Sequence, residues 1–220
     1  MKLAIPGSRI SALALRILGL SAVMCGLAFI ALSLDTSQAP PETQKLRADW
    51  LQDRLDDVQR KWALSLEFGI SPMIVEVVER QATRSADDLR DEFAWRFIKS
   101  DRELAYLLLS IIKIESGGNV RAYNADGQAY GLTQMQLPTA QTYRKDVTVD
   151  DLYNVQTHLE LASAHLKALL KKYHGNAALS VIAWNRGSGS VDRLIALGSS
   201  PENGYANRVF RAALATNVRE

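Results

Sequence analysis

Apolar residues recur at intervals of three and four along almost the whole chain, and no segment alternates apolar and polar residues long enough to make an extended strand. That confines the fold to packed helices, because residues three and four apart share one helix face, whereas a half-buried strand needs a period of two. Leu51, Leu55, Val58 and Trp62 form one stripe between Glu42 and Phe68, where Gly69 breaks the pattern. Such a stripe packs on its own domain or on a neighbouring helix, with a short coiled-coil stalk as the alternative. Ser71-Pro72 supplies a cap and a first-turn proline for a second helix to about Thr83, and Ser85 with Asp88 predicts the start of a third. Ser100 with Glu103 heads a helix carrying Leu104, Leu107, Leu108, Ile111 and Ile112, which stops at Gly117-Gly118. From Asn119 to Leu137 the chain turns to Asn, Gly, Gln and Tyr and reads as a polar loop or small ribbon. Pro138 starts a short helix, a long one is predicted from Asp151 to Tyr173, and three more over 177–185, 189–197 and 205–217. The expected class is mainly α, with at most a small hairpin and no internal repeat.

The N-terminal end sets a different constraint. Lys2, Arg9 and Arg16 precede an uncharged stretch from Ile17 to Leu34, and Asp35 is the first charge after it. A bilayer core needs about 20 apolar residues as a helix, and an excess of Lys and Arg marks the cytoplasmic side. The expectation is a basic cytoplasmic tip at 1–16, a transmembrane anchor at 17–34, a linker and helical stalk at 35–84, and a catalytic domain at 85–220 outside the membrane. A cleavable leader is the alternative to a retained anchor, but Ser37-Gln38-Ala39 followed by Pro40 makes a poor cleavage site. Cys25, the single cysteine, lies inside the apolar stretch, so neither a disulfide framework nor a thiolate metal site can form within one chain. With 26 basic residues against 24 acidic ones and no block of like charge, nucleic acid is not an expected partner.

Within the helix that begins after Ser100, Glu115 follows Ile112, Ile111 and Leu108 at three, four and seven residues, so its carboxylate projects from the apolar stripe. Desolvation and the negative end of the helix dipole both favour its protonated form, as a general acid requires. The glycines after it let backbone approach a ligand closely, and the following loop is dense in amide and hydroxyl groups suited to sugars. A glutamate at a helix end can equally turn out into water and do nothing.

Three separated runs stand in order: Glu115-Ser116-Gly117-Gly118-Asn119, Tyr130-Gly131-Leu132-Thr133-Gln134-Met135 and Ala183-Trp184-Asn185-Arg186-Gly187. Together they resemble the soluble lytic transglycosylase domain, a lysozyme-like fold, over roughly Ser100 to Phe210. The resemblance implies that Glu115 is the catalytic acid and base, with Ser116 its hydroxyl partner at the helix end. It implies substrate-binding roles for Asn124, Gly131, Gln134, Met135, Trp184, Asn185 and Tyr205. Asn124 falls where the family often has serine. Trp184 stands where the third run usually has tyrosine, which removes a hydroxyl, and Thr133 replaces a usual methionine, which alters the groove lining.

What the resemblance implies is cleavage of the bond between N-acetylmuramic acid and N-acetylglucosamine in peptidoglycan, leaving a 1,6-anhydro end; with the N-terminal apolar stretch, the expected place of the enzyme is the bacterial inner membrane, with the catalytic domain in the periplasm or otherwise outside the cell membrane. Its partners would be glycan strands and the membrane. The alternatives on the same fold are a hydrolytic muramidase, for which Asp126, Asp146, Asp150 and Asp151 are candidate second acids, and a wall-binding or assembly protein with little turnover. His158 and His165 share a helix face and His174 ends it, without the spacing of a helical zinc site. They read as surface or boundary residues, and neither a metal nor a cofactor is expected.

Overall fold

The computed structural model describes residues 41–90 and 100–217. The expected anchor at 17–34, with Cys25 and the Ser37–Ala39 site, lies outside the described residues; among those described, no helix is long and apolar enough to cross a membrane. The chain divides into two compact units, one running to Leu66 and one from Glu67 onward. In the first, helix α1 (Pro41–Phe68, ending in the second unit) leaves Leu51, Leu55, Val58 and Trp62 half-buried. Its polar face is knit by pairs one turn apart, Gln52 with Asp56 at 2.8 Å and Lys61 with Asp57 at 2.8 Å.

The second unit is built around α3 (Asp101–Glu115), in which every residue from Leu104 to Ile112 is buried. A helix enclosed on all sides is a core element, not a surface one. It packs between α2 (Pro72–Arg90) and α8 (Tyr205–Asn217), while α5 (Val155–Lys172) packs on α2 and α6 (Ala177–Arg186). Helix α6 also meets α7 (Ser188–Ala196) and α8. Two short elements complete the helical set, α4 (Leu137–Gln141) and a 3-10 turn at Asp151–Tyr153. Between α3 and α4 lies a small antiparallel sheet, β1 (Tyr123–Asn124), β2 (Ala129–Tyr130) and β3 (Met135–Gln136), in that order. Tyr123 pairs with Tyr130, which in turn pairs with Met135, and the two tyrosine rings stack at 5.1 Å.

The expected mainly α class holds, with three local corrections. The break expected at Ser85 does not occur, and α2 runs unbroken through it. No Gly or Pro interrupts the sequence there, and Ile74, Val78, Ala82, Ser85, Ala86 and Leu89 continue one buried stripe. Conversely, the long helix predicted from Asp151 is split at Asn154, whose extended backbone (φ −83°, ψ 120°) and side chain, accepting from Thr157 N at 3.0 Å, cap α5. The polar segment makes three strands where at most a hairpin was expected, because Met135-Gln136 adds a second pairing to β2.

Ser100 caps the central helix as expected, its Oγ accepting from Glu103 N at 3.2 Å. Ser100→Ala should therefore lower the unfolding free energy by about 1 kcal/mol in urea titration, with no change of fold.

Candidate functional site

Glu115 is the last residue of α3, half-buried where the helix leaves the core. Two glycines at positive φ, Gly117 (61°) and Gly118 (84°), then turn the chain sharply away. Ser116 holds this turn in place: its Oγ donates to Leu132 O at 2.7 Å and accepts from Gly118 N at 3.2 Å. Ser116 is thus bonded to the β2–β3 connection and not to the Glu115 carboxylate. The hydroxyl that meets Glu115 comes from 90 residues away, where Tyr205 at the start of α8, only 2% exposed, donates to Oε1 at 2.5 Å.

Burial raises the Glu115 pKa above the ordinary carboxylate value, and this outweighs the opposing pull of the Tyr205 hydroxyl and the Arg208 charge. The same burial, with the carboxylate beside it, pushes the Tyr205 phenol up, so it stays a donor. Arg208 lies 5.5 Å over the Tyr205 ring from the next turn of α8. The turn before α8 is closed by Glu202, whose Oε1 accepts from Asn203 N at 2.9 Å and Gly204 N at 2.6 Å. Asn203 then accepts from Tyr205 N and donates to Asn185 Oδ1 at 2.8 Å, joining the end of α6 to the residue that holds Glu115.

Beside Glu115 opens a groove of about 630 Å³, within the range of ligand-binding clefts. Asn124, Gln134, Met135, Trp184 and Asn185 line it together with Glu115, as the motifs implied. Ser116, Gly131 and Tyr205 do not line it and act from behind. Among the described residues Glu115 is the single carboxylate of the lining; Asp126, Asp146, Asp150 and Asp151 contribute nothing to it. Asp151 instead accepts from Thr148 N at 2.9 Å and Thr148 Oγ1 at 2.8 Å, bonds that hold its carboxyl below the usual range.

The lining also includes Thr139, Thr142 and Tyr143, which no motif contained, and Arg186, which stood in the third run without an assigned role. Tyr143 lies in a segment with no apolar period and no neighbouring motif, so nothing local marked it. His165, expected at the surface or its boundary, is half-buried and lines the groove, and its place on the same helix face as His158 was the available signal.

His158, by contrast, is neither a surface nor a boundary residue. It is 1% exposed, and both ring nitrogens are used: Nδ1–H donates to Leu152 O at 2.8 Å, while Nε2 accepts from Thr133 N at 3.1 Å and Thr133 Oγ1 at 2.9 Å. Thr133 spends its hydroxyl on this clamp and is itself buried. Gly131 makes the approach possible, since a Cβ at its φ of 69° would collide with the Leu152 carbonyl oxygen and sit 2.9 Å from His158 Nδ1. The clamp holds the strand connection where Gln134, at a positive φ of 51°, bonds Gly131 O through its own Nε2 at 3.1 Å.

Burial lowers the His158 pKa to about 4. The unfolded chain, with an ordinary histidine near 6.5, takes up the proton first as pH falls, so the stability from this clamp is complete above about pH 6.5 and is lost between 6.5 and 4. Urea unfolding from pH 7.5 to 4 should show a loss of about 3 kcal/mol in a His165→Phe background, which removes the other histidine whose pKa desolvation lowers. A flat profile would contradict the clamp. Tyr205→Phe removes the interaction that lowers the Glu115 pKa, so the carboxyl carbon resonance of Glu115 should titrate at higher pH in that variant than in the wild type.

Residues 97–205 match the family model described as Transglycosylase SLT domain. The match spans Glu115, the small sheet, the groove and, at its last residue, Tyr205. No solved structure matches the chain. The chain carries a transglycosylase SLT domain, and at the level of that family its activity is of the lytic transglycosylase type, acting on peptidoglycan.

Proposed function

We propose that Glu115 alone serves as acid and then base in a non-hydrolytic cut of the β-1,4 bond between N-acetylmuramic acid and N-acetylglucosamine. Protonated Glu115 gives its proton to the glycosidic oxygen as the bond from the muramic C1 breaks. The acetamido oxygen of the same sugar closes on C1 and carries the positive charge. Glu115, now a carboxylate, takes the proton of that sugar's C6 hydroxyl, whose oxygen attacks C1 and displaces the acetamido oxygen. A 1,6-anhydro ring results, no water is consumed, and Glu115 ends protonated as it began.

The observation that carries this reading is the lone carboxylate in the groove lining among the described residues, since a two-carboxylate hydrolysis needs a second acid facing the same bond. Two features support it further. Burial favours the protonated starting form, and Tyr205 engages Oε1 only, which leaves the second oxygen for the substrate. Asn124, Gln134, Asn185 and Trp184 would contact the strand from the lining, while Ser116, Gly131 and Tyr205 hold the machinery in place. The apolar stretch 17–34 and the basic residues before it support placement in the bacterial inner membrane with this domain in the periplasm.

Product analysis tests the reading. Full-length protein incubated with purified sacculi should release muropeptides with 1,6-anhydro ends, identified by mass spectrometry, and Glu115→Gln should lower release by about 1,000-fold or more while melting at nearly the wild-type temperature. Reducing ends would show hydrolysis. Binding of glycan with no release by the wild type would leave a wall-binding protein on the same fold.

A further inference from the structure

We propose that Tyr143, His165 and Trp184 form a saccharide-binding wall of the groove, in which His165 is a specificity residue donating from Nε2 to an N-acetylhexosamine stacked on Trp184; this rests on the glycan-cleaving reading above. The three side chains come from separate elements, Tyr143 after α4, His165 on α5 and Trp184 on α6, and all line the groove that holds Glu115. The rings of His165 and Trp184 are 4.8 Å apart at 52°, and those of Tyr143 and His165 are 5.8 Å apart at 65°. The half-buried indole is thus braced on one side by the imidazole, while the rest of it borders the groove.

The imidazole is fixed in turn. Tyr143 Oη lies 2.9 Å from His165 Nδ1, and a phenol is the better donor while a ring nitrogen without a proton is the better acceptor. Burial keeps the histidine neutral, with its pKa lowered to about 4, so the ring carries a single proton. With Tyr143 donating to Nδ1, that proton sits on Nε2, which no described residue bonds. These three side chains offer an aromatic face and one neutral N–H donor, and the cation of the groove lining among the described residues, Arg186, donates to Pro201 O at 3.3 Å. That chemistry suits a pyranose, which has an apolar C–H face and hydroxyl and acetamido acceptors at its rim, better than a carboxylate or phosphate, which would call for a cation.

Chitotetraose is the probe, titrated into the full-length Glu115→Gln chain in mild detergent so that binding is seen without turnover. His165→Phe keeps a ring against Trp184 but removes the donor, and should weaken binding by roughly five- to tenfold. Tyr143→Phe should weaken it less, with the His165 nitrogen shifts moving toward a mixture of tautomers. In the chain with His165 intact, the Nε2–H resonance should shift on saturation with chitotetraose, a readout that needs no substitution at the wall. Unchanged affinity in His165→Phe, or a Nε2–H resonance that does not move, overturns the proposal while leaving the glycan reading in place. Absence of chitotetraose binding together with absence of muropeptide release by the wild type overturns both.

Discussion

The hydrogen bond from Tyr205 to Glu115 is the contact on which the site depends. A carboxylate at the end of a core helix is costly to desolvate, and burial alone would leave its orientation free among several rotamers. Tyr205 removes that freedom by engaging Oε1 at 2.5 Å, and is itself held by the Glu202–Asn203 turn and by the packing of α8 on α3. The arrangement costs little in proton affinity, because desolvation still outweighs the bond and the nearby Arg208 in setting the direction of the shift.

A second constraint shapes the rest of the groove. The β2–β3 connection must pass close to α5, and only a glycine at 131 lets the Leu152 carbonyl and the His158 ring approach it. His158 then consumes the polar groups of Thr133, which would otherwise be buried without partners, and Ser116 closes the same connection onto the end of α3. Gln134 keeps its unusual backbone because both sides are held. The groove edge is therefore tied to α3 and α5 through side-chain hydrogen bonds, an arrangement that favours accurate placement of a ligand against one acid.

The substitution of Trp184 for the tyrosine of the resembled motif takes on a different meaning in this setting. A hydroxyl lost at 184 is not lost to Glu115, since Tyr205 supplies one from behind. The indole instead joins Tyr143 and His165 in a neutral aromatic wall, and the threonine at 133 serves the buried histidine more than the groove lining.

The helical class, the Ser100 cap, the Gly117-Gly118 stop and the place of Glu115 in the last turn of its helix were legible from local chemistry, because period, capping and chain reversal are properties of residues a few positions apart. The continuity of α2 through Ser85 and the break at Asn154 were not, since a serine can cap or sit in a helix interior according to what covers it, and an asparagine cap needs a folded neighbour to fix its backbone. His158 was misread for the same reason: its seven-residue spacing from His165 says which helix face it occupies but not that a glycine 27 residues earlier brings a strand connection onto that face. Folding alone brought Tyr205 to Glu115 and Tyr143 and His165 to the groove, because their contacts join elements distant in the chain, and no local pattern encodes which of many distant side chains will meet.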